Sequence, residues 1–169
     1  EHKAQGLPFQ KIAARFDMLE ESLEVLSGIW NLTEGDLFTY EGKTVTFENS
    51  MGLPKPKQEN GPPIIMGGIG AKRTPRLVAK YASEYNTPFV SPVDFGSYVA
   101  VVKEACIKSE RNPDDLTYSC AQVFCGGENE ETFKRRASNI GREVNELRLN
   151  GLAGTPSEIS GRIEEFKEL

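Results

Sequence analysis

The chain has 169 residues, 38% apolar, 27% charged and 9% aromatic, a composition that excludes wholesale disorder. Twenty basic residues against 25 acidic leave a net charge of −5, without the basic excess or basic stripe of a nucleic-acid binder. No apolar run approaches the roughly 18–20 residues that span a bilayer, so no membrane partner is expected.

Residues 12–31 read as an amphipathic helix, with Ile12, Phe16, Leu19, Leu23, Leu26 and Trp30 at helical spacing. Glu20 and Glu21 fall on its outer part and are expected to face solvent. Leu37 to Tyr40 and Thr44 to Phe47 flank the break Glu41-Gly42-Lys43, so a small β-hairpin is expected at 37–48. Residues 49–61 hold Gly52, Pro54, Pro56, Asn60 and Gly61 and read as a loop.

Strands and helices then alternate. Pro63 to Met66 is a short buried strand. Thr74 caps a helix through Tyr81, with Pro75 at its first position. Asn86 to Val90 is a second strand, weakened by Pro88. Residues 93–109 form a helix with Val99, Val102, Ala105 and Cys106 on one side, and Asn112 to Asp115 is a turn. Leu116 to Phe124 is a third strand, and near-continuous apolarity at 120–125 suggests burial on both faces. Residues 130–149 are helical, Gly154 breaks the chain, and Thr155-Pro156-Ser157-Glu158 is a capping box before a last helix. Lys134-Arg135-Arg136 follows Glu130 and Glu131 in a helical pattern and reads as a solvated face.

This order predicts parallel β/α units. Three units do not close a barrel, so an open doubly wound sheet and a piece of a (β/α)8 barrel, which takes about 250 residues, both fit. The chain opens on Glu1 and ends inside a helical pattern, from which a fragment is expected. As half a barrel it would have open sheet edges and would fold poorly alone.

Three cysteines, Cys106, Cys120 and Cys125, form no CxxC pair, and His2 is the single histidine. A zinc site needs about four clustered ligands, so no metal is expected. Cys120 and Cys125 read as reduced core residues, which suits the cytoplasm. No serine or cysteine nucleophile elbow is present, and one histidine leaves no triad to build.

The most informative stretch is Pro62 to Pro75. A strand ends in Gly67-Gly68-Ile69-Gly70, and a helix starts at once. Glycines let backbone approach a ligand, and a helix start favours an anion, with Lys72 or Arg73 adding charge. The stretch is neither a P-loop nor the dinucleotide fingerprint. A plain tight turn and a phosphate cradle both fit it. Glu1 and His2 are a further acid and base near the chain start, where solvation is the simpler reading.

The order of motifs resembles the luciferase-like monooxygenase family. The markers are Glu1-His2-Lys3-Ala4-Gln5-Gly6-Leu7-Pro8-Phe9, Arg15-Phe16, Leu19 to Leu23, Ile29-Trp30, Phe38, Tyr40 to Lys43 and Pro54 to Gln58. Pro62 to Gly70, Arg73 to Ala82, Asn86 and Gly154 to Glu158 follow in order, so the likeness spans essentially the whole chain. It is nearest the subgroup dependent on the deazaflavin F420.

The resemblance implies an α/β fold, a fragment of a luciferase-like (β/α)8 TIM barrel with a small β-hairpin insertion over its mouth. Residues 1–169 would be a single partial domain, the C-terminal half, without the first four strands and the last. Strands five, six and seven would be those at 63–66, 86–90 and 117–125. Met66, Gly67, Gly68, Ile69, Gly70 and Ala71 would bind the cofactor's phosphate and side chain. Glu1 and His2 would stand at the cofactor or substrate lip. The implied activity is F420-dependent hydride transfer to or from a small-molecule substrate. The alternative is an FMN-dependent luciferase-like monooxygenase. Readings of another class are a non-catalytic flavin-binding barrel and a non-redox phosphosugar enzyme. The full-length protein would be a homo-oligomer, a dimer or larger, and the fragment alone would be inactive. One departure is specific: where the family often carries Ala-Asp-Gly-Trp-Asn or similar, this chain has Ser83-Glu84-Tyr85-Asn86 after Ala82.

Overall fold

The computed structural model describes residues 2–169. The chain, which reads from sequence as one partial domain, divides into two compact units, Glu1–Pro63 and Ile64–Leu169.

The first unit holds a 3-10 turn (His2–Gln5), helix α1 (Ile12–Trp30) and the expected hairpin, β1 (Phe38–Glu41) with β2 (Thr46–Ser50). The pair is antiparallel, with a bulge between Phe38 and Tyr40. The Phe38 ring packs edge-on to Phe47 and stacks parallel to Tyr40. Of the apolar stripe on α1 only Leu23 is fully buried, joined by Val25, while Ile12 is 65% exposed. One helix and one hairpin offer too little surface to cover the whole stripe. Glu21 is a second correction: it does not simply face solvent but accepts hydrogen bonds from the hairpin turn.

The second unit alternates strand and helix. In chain order it holds β3 (Ile65–Gly67), α2 (Arg73–Tyr81), β4 (Glu84–Pro88), α3 (Pro92–Lys108), β5 (Thr117–Ala121) and β6 (Val123–Gly126). After these come α4 (Glu130–Asn139), α5 (Val144–Asn150), β7 (Gly151–Gly154) and α6 (Pro156–Lys167). Strands β3, β4 and β5 form a parallel sheet in that order, and β6 pairs in parallel with β7.

Alternation along the strands sorts the two faces of the sheet. Met66, Tyr85 and Thr87 are buried, as are Leu77 and Val78 of α2 and Val99, Val102 and Cys106 of α3. Tyr118 shares that face, with Lys103 of α3 over its ring, so the helices lie there. Arg111 donates to the carbonyls of Val78 and Ala79 at 3.3 and 3.1 Å, tying the end of α3 to α2. A second cluster joins Cys125, Phe133, Ala137, Leu147 and Ala153. Ser91 caps α3, Asn129 caps α4, and Glu158 folds back to accept from the N–H and hydroxyl of Thr155 at 2.7 and 2.8 Å.

Several elements differ from the sequence reading. Helix α2 starts at Arg73 with Lys72 as its cap, and Thr74 lies buried inside the first turn. Proline is tolerated throughout a first turn, so Pro75 did not fix the start. The helix expected over 130–149 is two, parted where Gly141 takes φ +66°. The strand expected over 117–125 breaks at Gln122, where pairing passes from β4 to β7. It is not buried on both faces, since Cys125 enters the cluster while Phe124 is 69% exposed. Strand β7 has no counterpart in the sequence reading. All three cysteines are free, and Cys120 is only half-buried. Among the described residues no helix is long and apolar enough to cross a membrane.

Candidate functional site

The site is built where β3 runs into α2. Gly67 ends the strand, and Gly68 N–H donates back to the Asn86 carbonyl at 3.3 Å. Gly68 takes φ +129°, open to glycine and strained for any side chain. A Cβ on Gly70 would stand 2.7 Å from Thr74 Oγ1, so the turn closes tightly on the first turn of α2. The buried Tyr85 pins it from below, its hydroxyl donating to the Gly68 carbonyl at 2.8 Å. Burial, with Tyr98 adding, pushes that hydroxyl's pKa up to about 12, so it remains a donor at neutral pH.

The cap residue Lys72 makes no side-chain hydrogen bond to the start of α2. Helix starts carry N–H groups without intrahelical partners and the positive end of the helix dipole, and Lys72 lies beside this one. A rigid glycine turn, an uncapped helix start and a lysine together can hold an anionic group.

Of the residues expected here, Gly67 to Ala71 lie together on the turn, with Ile69 49% exposed. Met66 differs: it is 7% exposed and belongs to the helix-covered face, so its side chain points into the core. His2 lies in the first unit, exposed, with its ring centroid 5.0 Å from that of Phe9. Glu1 lies outside the described residues. Sequence reasoning missed Tyr85 and Thr74 as supports of the turn. No sequence signal marks Tyr85, because its place opposite Met66 comes only from the parallel register of β3 and β4.

The opposite face of the sheet carries Ile65, Gly67, Glu84, Asn86, Thr117 and Ser119. Ile65 is 62% exposed there. A groove of about 760 Å³ runs between α2 and α3, lined by Lys72, Arg76, Lys80, Glu104 and Lys108 among others. It contains no residue of this open face.

The luciferase-like monooxygenase family model matches residues 1–168. A search of curated protein sequences found no match. Among solved structures, an F420-dependent secondary alcohol dehydrogenase in complex with an F420-acetone adduct is similar, with TM-score 0.80 and 17% identity over 99% of this chain and 57% of its own. The coenzyme F420 dependent tetrahydromethanopterin reductase from Methanopyrus kandleri gives 0.78 and 18% over 99% and 62%. The oxygenating constituent of 3,6-diketocamphane monooxygenase from Pseudomonas putida, in complex with FMN, gives 0.67 and 17% over 90% and 53%. The chain thus spans just over half to about three fifths of the length of these proteins. Its fold is that of part of the luciferase-like TIM barrel, as the sequence predicts.

Proposed function

Since the chain belongs to the luciferase-like monooxygenase family, we propose that it is part of a flavin- or deazaflavin-dependent oxidoreductase whose cofactor phosphate rests on the Gly67–Ala71 turn. The observation that carries this reading is the closure of Gly70 on Thr74 directly ahead of an uncapped α2. The residues fit an anionic group. Gly68 and Gly70 keep side chains out of the cradle, and the helix start and Lys72 supply donors and charge.

F420 is the cofactor we favour, because the alcohol dehydrogenase and the reductase, the two with the higher TM-scores above, are described as F420-dependent. When bound, it supplies two-electron hydride chemistry toward a small organic substrate. The protein's part is to bind and orient it and to exclude water. Tyr85 holds the turn rigid, and Lys72 adds charge near the phosphate. A homodimer for the whole protein belongs to the same proposal. The second reading, an FMN-dependent monooxygenase, is supported by the likeness to the diketocamphane enzyme with bound FMN.

The test uses the intact protein. Oxidised F420 is incubated anaerobically with a panel of small alcohols, and the visible absorbance of the deazaflavin is followed. Bleaching supports hydride transfer. Oxygen uptake with reduced FMN, and no bleaching, would move the assignment to the monooxygenase. Cofactor binding without turnover in either assay would leave a non-catalytic flavin-binding barrel.

A further inference from the structure

A polar row crosses β4 and β5 on the face turned away from α2 and α3. Asn86 stands in register with Ser119, and Glu84 lies two residues before Asn86 on the same face. The Asn86 side-chain amide donates to Ser119 Oγ at 2.8 Å. The Ser119 hydroxyl donates in turn to a carboxylate oxygen of Glu84.

Proton counting fixes the direction of this row. A serine hydroxyl has one proton, and Ser119 commits it to Glu84. Its oxygen is then an acceptor toward Asn86, and Asn86 must present its NH2 group. The carboxamide is locked in one of its two orientations, which leaves Oδ1 and the second N–H for another partner.

The neighbouring strand leaves room beside that amide. Gly67 is the residue of β3 in register with Asn86 and has no side chain. A Cβ placed there would meet only the Asn86 carbonyl, at an ordinary 3.5 Å. Gly67 also opens the glycine turn, so the locked amide stands at the edge of the candidate phosphate site.

We propose that Asn86, fixed by Ser119 and Glu84, is a binding group for an amide- or imide-type edge, an N–H beside a carbonyl oxygen. That edge would meet Oδ1 and the remaining N–H of the carboxamide. The proposal rests on the flavin or deazaflavin reading, because both ring systems carry such an edge. Ser119 and Glu84 are positioning residues, acting through Asn86 alone. Glu84→Gln, nearly isosteric, can donate to Ser119 and release its proton toward Asn86, which would turn the amide over.

The experiment titrates the intact protein with F420 and with FMN by fluorescence, with thermal midpoints recorded for every variant. Asn86→Ala is expected to weaken the cofactor that the wild type binds by roughly ten- to hundredfold, the loss of the two hydrogen bonds of its carboxamide. Ser119→Ala and Glu84→Gln should weaken it by a similar or smaller factor, and Ser119→Thr, which keeps the hydroxyl, should restore it. In the Asn86→Ala background, Ser119→Ala should have no further effect on affinity. Wild-type affinity in Asn86→Ala, or effects of Asn86→Ala and Ser119→Ala that simply add, would overturn the proposal and leave the flavin reading standing. Shifts in thermal midpoint with affinity unchanged would do the same, by assigning the row to stability. If the wild type binds neither cofactor, the flavin reading falls and takes the proposal with it.

Discussion

The Glu21 carboxylate of α1 closes the hairpin turn through Thr44. It accepts the Thr44 hydroxyl at 2.5 Å and the Thr44 N–H at 2.7 Å, and also the N–H groups of Lys43 and Val45 at 2.9 and 3.1 Å. One side chain thus satisfies three consecutive backbone donors and a hydroxyl. These bonds, the Thr44 hydroxyl foremost, lower its pKa from 4.5 to about 2.

A group whose folded pKa is depressed stabilises the fold above its unfolded value and loses that contribution as pH falls. The hairpin is therefore expected to stay closed at pH 5 and to loosen as pH drops from about 4.5 toward 2. Amide exchange at Lys43, Thr44 and Val45 reads this directly, and Glu21→Gln should abolish most of their protection at neutral pH. A Glu21 titration midpoint in the ordinary carboxylate range, with exchange unchanged in the variant, would contradict the clamp.

The glycines of the turn should separate folding from binding. Gly68→Ala must hold a side chain at φ +129°, at a cost of roughly 1–3 kcal/mol. Gly70→Ala pushes a methyl against Thr74, and overpacking of that kind costs roughly 1–3 kcal/mol. Gly67→Ala meets only ordinary contacts and should leave stability within about 0.5 kcal/mol while weakening cofactor binding. Chemical denaturation and titration of the three variants check this, and equal destabilisation by all three would be inconsistent with the geometry described.

Thr87 is 0% exposed, and its hydroxyl has no hydrogen-bond partner among the described residues. An unsatisfied buried hydroxyl is a desolvation cost without a return. Thr87→Val keeps the shape and removes the polar atom, so a gain of about 1 kcal/mol is expected in denaturant unfolding. A loss would mean that the hydroxyl is satisfied in solution.

Phe133 anchors the second cluster at 0% exposure, with the Arg148 guanidinium 4.9 Å from its ring centroid. Phe133→Ala should cost roughly 3–5 kcal/mol, since the ring is enclosed by Cys125, Ala137 and Leu147. A loss below about 1 kcal/mol would show that α4 and α5 collapse readily onto β6 and β7.

How much of this was legible in sequence depended on whether a segment's own residues or its partners decide its conformation. The hairpin was legible because Gly42 interrupts two strand-prone runs, and β3 because an apolar run is stopped by glycines. Strand β7 was not. Gly151 and Gly154 oppose strand formation locally, and its pairing with β6 supplies what propensity lacks. The break between α4 and α5 was legible in principle, since a glycine such as Gly141 commonly ends a helix in the left-handed region. The glycine turn could be read from its residues, but not its support. Tyr85 reaches Gly68 across 17 positions of sequence, and the Glu84–Ser119 contact spans 35, pairings that only the parallel register brings together.

The central claim, that the Gly67–Ala71 turn holds the phosphate of a deazaflavin or flavin, is tested most directly by titrating the intact protein and its Gly67→Ala variant with F420 and FMN side by side. Micromolar or tighter binding of F420, weaker binding of FMN, and a clear loss of affinity in the folded variant are expected. Binding of neither cofactor to the wild type, or equal affinity in the variant, would return the turn to a plain structural element.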